Sequence, residues 1–103
     1  MERIEKLKKF LKESPSDSFL QHALALEYIK LGDDTKAREL FESVLQNDPG
    51  YVGSYYHLAK LLERAGETDA AVRICGKGMQ EAKNAGEQLA WNELRSLYED
   101  MTF

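Results

Sequence analysis

The amino-acid sequence of this chain is similar to itself at an offset of 34 residues. The only two prolines, Pro15 and Pro49, lie 34 residues apart, and so do Gly32 and Gly66. The same offset aligns apolar or small residues along both segments: Leu24 with Leu58, Ala25 with Ala59, Ala37 with Ala71, and Leu40 with Ile74. Self-similarity at this period is typical of helical repeat proteins, in which each unit covers an apolar face of its neighbour.

Each repeat is predicted to form two helices joined by a tight turn. In the first repeat, apolar residues spaced three and four positions apart predict a helix over 18–31. Gly32 ends this helix, and Asp33 is expected to cap a second helix over 35–47. No segment alternates as a strand would, so the chain is predicted to be all-α. The second repeat follows the same plan, with a helix over 53–65, a break at Gly66 and a helix over 68–84.

Small residues are expected where the two helices of a repeat cross. Ala25 and Ala37 would face each other at the crossing in the first repeat, because two alanines allow a closer approach than larger side chains. Ala59 and Ala71 repeat this arrangement in the second repeat. A close crossing within each helix pair is therefore predicted.

The 34-residue unit resembles the tetratricopeptide repeat, whose pattern is W-x2-L-G-x2-Y…A-x3-F…P. The first repeat, 18–51, matches this pattern at Leu24, Ala25, Tyr28, Ala37, Phe41 and Pro49. The second repeat, 52–85, matches it at Tyr55, Leu58, Ala59, Leu62 and Ala71. It departs from the pattern at Cys75, where phenylalanine is usual, and at Lys83, where the proline would fall.

The flanking segments resemble half-units of the same repeat. Residues 2–13 predict a capping helix, and residues 88–101 predict a C-terminal helix. In the latter, Trp91, Leu94 and Tyr98 recover the W-x2-L-x3-Y spacing. The resemblance therefore implies an α-α superhelix in which the whole chain, 1–103, is a single domain. That domain would hold two full repeats with a half-repeat helix at each end.

Composition and charge exclude several classes of function. The net charge is −4, whereas nucleic-acid-binding domains usually carry a basic face, so the basic excess in residues 1–13 is interpreted as a solvated helix face. No run of apolar residues is long enough to cross a membrane, and the N-terminus lacks the apolar core of a secretory signal. Cys75 is the single cysteine, which excludes an internal disulfide and fits a reducing compartment. A cytoplasmic location is predicted.

No catalytic site, cofactor or metal site is predicted. His22 and His57 have no second histidine or cysteine one turn away, as a helical metal site would require. Cys75 falls where the repeat places a core residue, so it is expected to be buried rather than nucleophilic. Gly76-x-Gly78 lies inside a helix and is no phosphate loop. A tight packing contact is expected at Gly78, and Gly76 is expected to cost the helix about 1 kcal/mol relative to alanine.

The resemblance also implies a binding groove. In tetratricopeptide repeat proteins the first helix of each repeat lines a concave groove that holds a peptide or a partner helix, through its second, fifth, ninth and twelfth positions. The groove residues implied here are Phe19, His22, Leu26 and Ile29 in the first repeat, Tyr56, Lys60 and Glu63 in the second, and Asn92 and Ser96 in the C-terminal helix. The remaining positions of that register are Gly53, Leu89 and Glu99. The chain is therefore interpreted as a non-catalytic protein-interaction module.

The helix predicted over 18–31 carries two apolar stripes. Phe19, Leu26 and Ile29 form a stripe beside the core face. Such a helix is normally covered on all sides, so the stripe is either a pocket for a partner's side chains or is covered by neighbouring side chains. The residues assigned to its core face are Leu20, Leu24, Ala25, Tyr28 and Leu31.

An alternative function is self-assembly through the C-terminal helix. No helix follows it in this chain, so several large apolar side chains have nothing to cover them and could pair two copies as a homodimer. This possible dimer patch consists of Trp91, Leu94, Tyr98, Met101 and Phe103.

Overall fold

Residues 2–103 are described by a computed structural model, and they form six helices and no strand. All six predicted helices are present, and each begins and ends within one residue of the expected position. The helices are α1 (Glu2–Glu13), α2 (Ser18–Lys30), α3 (Asp34–Asn47), α4 (Gly53–Arg64), α5 (Thr68–Ala85) and α6 (Gln88–Thr102). Over the same residues, no helix has the length and apolar character needed to cross a membrane.

Glycines with positive φ end three of the helices. Gly32, Gly66 and Gly86 have φ values of 79°, 80° and 71°, a conformation that glycine adopts without steric cost. Asp33 then accepts a hydrogen bond from the Lys36 N–H at 3.1 Å and caps α3, as predicted. The N–H of the residue after each glycine donates to the carbonyl oxygen five positions earlier, at 2.9 Å: Asp33 to Tyr28, Glu67 to Leu62, and Glu87 to Ala82.

The first compact unit ends at Asp48, and within it α2 packs against both α1 and α3. Ala25, Ala37 and Phe41 have no exposed surface, so two small side chains and the Phe41 ring lie within the core of this unit. Leu31 was expected on the core face of α2. It is exposed instead, because the helix ends at Lys30 and Leu31 belongs to its C-terminal cap.

The second compact unit spans Pro49–Phe103, and within it α5 packs against both α4 and α6. Ala59 and Ala71 are again completely buried, as is Cys75. Tyr55 is buried as well, and its hydroxyl donates to the Pro49 carbonyl oxygen at 2.6 Å, which ties the turn before α4 to the core.

Gly78 lies where α5 meets side chains of α4 and α6. A Cβ atom at this position would stand 2.6 Å from Tyr55 Cβ and 3.0 Å from Leu94 Cδ1, so only glycine fits without displacing a neighbour. At Gly76, two residues earlier on the same helix, a Cβ would have no atom within 4 Å. The tight contact predicted at Gly78 is confirmed, and it is the side chains of Tyr55 and Leu94 that enforce it.

Candidate protein-interaction surface

The predicted groove positions of α2 all retain solvent exposure in the first unit. Phe19 is 66% exposed, and His22, Leu26 and Ile29 are half-buried. On other sides of the same helix, residues such as Leu24 are buried. Helix α2 therefore presents an apolar stripe to solvent in addition to the face that it buries in the core.

His22 belongs to the edge of the core as well as to this stripe. Its ring meets the ring of Phe41 edge-on, with the two centroids 5.4 Å apart and the ring planes at 66°. Edge-to-face packing of this kind orients both rings. His22 is thus a positioned side chain at the boundary between the exposed stripe and the buried Phe41.

Ion pairs of Glu27 lie on α2 beside the apolar stripe of Phe19, Leu26 and Ile29. The Glu27 carboxylate accepts from Lys30 Nζ and from Arg3 Nε, each at 3.1 Å. The hydrogen bond from Lys30, supported by the charge of Arg3, lowers the pKa of Glu27. Because Arg3 lies on α1, this pair also ties α1 to the polar side of α2.

The corresponding positions in the second unit are polar. Tyr56, Lys60 and Glu63 are half-buried along α4, while Asn92 and Ser96 are exposed on α6. This face offers hydrogen-bonding and charged groups, in contrast to the apolar stripe of α2.

Two further residues, His57 and Glu93, lie beside these positions in the second unit. The His57 ring meets the Tyr56 ring edge-on at 5.7 Å, and burial lowers the pKa of His57 against the opposing effect of Glu93 on α6. Leu89 is 80% exposed near the start of α6. The sequence analysis considered His57 only as a metal ligand and did not single out Glu93. The two residues lie on different helices, α4 and α6, so no spacing within one helix could have indicated that they are close.

Cys75 is completely buried, as its place in the repeat predicted. Burial, with a smaller contribution from the Glu63 charge, raises the pKa of Cys75 to about 11, so the thiol stays protonated at neutral pH. A protonated thiol is a poor nucleophile. Within residues 2–103, no three His, Cys, Asp or Glu side chains are grouped so that they could hold a metal ion.

The Cys75 thiol is expected to resist alkylation in the folded protein. At pH 8, its raised pKa leaves roughly 100-fold less thiolate than an unfolded chain would have, and burial slows access further. Mass spectrometry after iodoacetamide treatment, with and without guanidinium, measures the difference. Equal alkylation rates in the two conditions would contradict the buried position.

The structure separates the residues of the predicted dimer patch. Leu94 is buried against Gly78 and is not available to a second copy. Trp91, Tyr98 and Met101 are half-buried, and Phe103 is 96% exposed. The sequence spacing did not identify Leu97, which is buried together with Leu94 on α6.

The described residues are all helical and the sequence repeats, so the fold is that of a helical repeat protein. Comparison with known proteins shows to which family of helical repeats the chain belongs. The sequence profile of the tetratricopeptide repeat matches residues 28–94. The chain belongs to the tetratricopeptide repeat family. Domains of this family generally mediate interactions between proteins.

Relatives and solved structures agree with this assignment. A TPR repeat-containing protein of Pseudomonas aeruginosa is 28% identical over 88% of this chain and 87% of its own length. The crystal structure of a tetratricopeptide repeat domain protein from Salinibacter ruber has a TM-score of 0.81 and 39% identity, covering 82% of this chain and 94% of that one. A Bordetella parapertussis protein with 22% identity shares the fold at a TM-score of 0.80, over 95% of this chain and 85% of its own. These likenesses confirm the predicted all-α helical repeat class.

Proposed function

We propose that this chain is a non-catalytic protein-interaction module that binds a peptide or a partner helix on the exposed side of α2. The observation that carries the proposal is the apolar stripe of Phe19, Leu26 and Ile29, in which Phe19 is exposed and the other two are half-buried although α1 and α3 both pack on α2. Exposed apolar stripes on helices are typical of surfaces that receive a partner's side chains.

The face of α4 and α6 supports a polar mode of binding in the second unit. Tyr56 and Lys60 offer a hydroxyl and an ammonium group to a ligand, and Asn92 offers an amide. The Asn92 side chain also accepts from Gln88 Nε2 at 2.9 Å, which orients its amide group. Side chains of these types suit the backbone and carboxylate groups of a bound peptide.

Substitution of Phe19 by aspartate is expected to abolish partner capture. The variant keeps its fold because the side chain is already exposed, but it puts a charge where the partner's apolar group would lie. The matched control is Phe10→Asp, since Phe10 is a 53% exposed phenylalanine on α1 outside the predicted groove. Pull-down from a lysate of cells that express the protein measures the difference. Equal loss of capture with both variants would show that the α2 stripe is not the binding surface.

Amide resonance mapping supplies an independent test with the captured partner. Shifts are expected along α2, and along α4 and α6, at Leu26, Tyr56 and their neighbours. Changes clustered on α3 and α5 instead would contradict the proposal.

A second candidate function, assembly into a homodimer through α6, is favoured by the exposure of Phe103 and Leu89 near the two ends of that helix. Because Leu94 is buried, the middle of the predicted dimer patch is not available for contact with a second copy. Sedimentation at high micromolar concentration tests this candidate directly, because a monomer there contradicts it.

For the location we propose the cytoplasm, where the single thiol of Cys75 would remain reduced.

A further inference from the structure

A cleft runs between α5 and α6 in the second unit, and neither Asn92 nor Ser96 lines it. Its volume is about 410 Å³, and its lining residues are Gly76, Met79, Gln80, Lys83, Trp91 and Tyr98. A smaller hollow of about 300 Å³, next to the turn at Gly86, shares Lys83 and Trp91 with it. We refer to the larger one as the Trp91 cleft.

The lining of the Trp91 cleft extends over two helical turns on each of the two helices. Trp91 and Tyr98 are seven residues apart on α6, and so are Gly76 and Lys83 on α5. Seven residues of helix extend over about 10 Å, which is two turns. A surface of this length, formed side by side by two helices, is long enough for two turns of a third helix to lie along it.

Gly76 opens one end of the cleft. A Cβ at this position would meet no atom within 4 Å, so the backbone of α5 faces open space there. The half-buried rings of Trp91 and Tyr98, together with the Met79 side chain, provide the apolar surface beside it. An apolar side chain of a bound helix can therefore approach α5 closely without displacing a resident group.

Two cations flank Trp91. Lys83 lines both hollows, and the Arg95 guanidinium stands 5.4 Å from the centre of the Trp91 ring. Arg95 also pairs with Glu99 through Nε at 3.3 Å, but one carboxylate engages at most two of the five N–H groups of arginine. Glu87 lines only the smaller hollow, so Lys83 is the single charged residue among those that line the Trp91 cleft.

We propose that the Trp91 cleft binds an amphipathic helix of a partner protein whose apolar stripe is bordered by acidic residues. The apolar side chains would contact Trp91, Tyr98 and Met79, and the carboxylates would pair with Lys83 and Arg95. A second copy of the cleft would present the same cations, so charge favours an acidic segment over self-pairing. This surface is independent of the α2 stripe, and its occupant need not be the same protein.

Trp91 is the only tryptophan of the chain, so its fluorescence reports on the cleft directly. The probe is a synthetic amphipathic helix of about 20 residues, with leucines spaced three, four and seven apart and glutamates on both borders of the leucine stripe. We expect a saturable blue shift of Trp91 emission. A twin peptide with lysine in place of each glutamate is expected to bind at least about tenfold more weakly. No shift with the acidic peptide, or equal binding of the twin, would overturn the proposal.

Replacing single lysines of α5 with glutamate tests whether the acidic peptide binds in the Trp91 cleft. Lys83→Glu is expected to weaken binding of the acidic peptide about tenfold, whereas Lys77→Glu should change it less than about twofold. Lys77 is an exposed lysine on the same helix that does not line the cleft, so the two variants differ in position alone. Equal weakening by both would show a non-specific charge effect and overturn the proposal. A dimer in sedimentation without peptide, disrupted by Lys83→Glu, would identify a second copy as the occupant and overturn it as well.

Discussion

Replacing Phe41 with alanine should lower the free energy of unfolding by about 3–5 kcal/mol. The Phe41 ring has no exposed surface and meets the His22 ring in an edge-to-face contact, so its removal leaves a cavity that the surrounding helices can close only in part. A loss of this size is comparable to the whole stability of many small domains. Urea unfolding followed by circular dichroism measures the change as a lower transition midpoint.

Phe19→Ala is the matched control for this prediction. It removes the same ring from a position that is 66% exposed, so its effect should stay within about 0.5 kcal/mol. Similar destabilisation by the two variants would mean that the burial of Phe41 does not govern stability.

Replacing Gly78 with alanine should lower the free energy of unfolding by at least about 2 kcal/mol, although alanine is the better helix former. The added methyl group would lie 2.6 Å from Tyr55 Cβ, an atom that cannot move away without its backbone. Helix α4 or α5 must therefore shift. The same urea titration measures the loss.

Gly76→Ala, two residues away on the same helix, is expected to act in the opposite direction. Its new methyl group meets no atom within 4 Å, so the variant gains helix propensity without a clash and should be about 0.5–1 kcal/mol more stable. A change of the same sign in both variants would contradict the packing described around Gly78.

Local chemistry made much of the fold predictable. The left-handed glycines Gly32 and Gly66 and the cap at Asp33 each act within one turn of chain, so their effect can be predicted from neighbouring residues alone. Burial of Ala25 and Ala37 follows from the same 34-residue register, because a repeat places equivalent residues in equivalent packing sites.

The candidate site could be predicted only in part, because helical spacing does not say which face of a helix its neighbours cover. Helix α2 is apolar on nearly every side, so periodicity identifies two stripes but cannot say which of them its neighbours cover. The structure leaves Phe19, Leu26 and Ile29 in contact with solvent. The proximity of His57 to Glu93 could not be read from spacing either, because the two residues lie on different helices.

The helices and their ends follow from the amino-acid sequence, since they depend on hydrogen bonds and contacts close along the chain. The 34-residue register adds the repeat length and the small residues of the core. Tertiary packing alone decided which large side chains of α6 are covered. Leu94 is buried beside Gly78, whereas Trp91 keeps part of its ring in the open cleft next to α5. The physical reason is that helical spacing sets the direction of a side chain, but its exposure depends on the size of the residue that it meets on another helix.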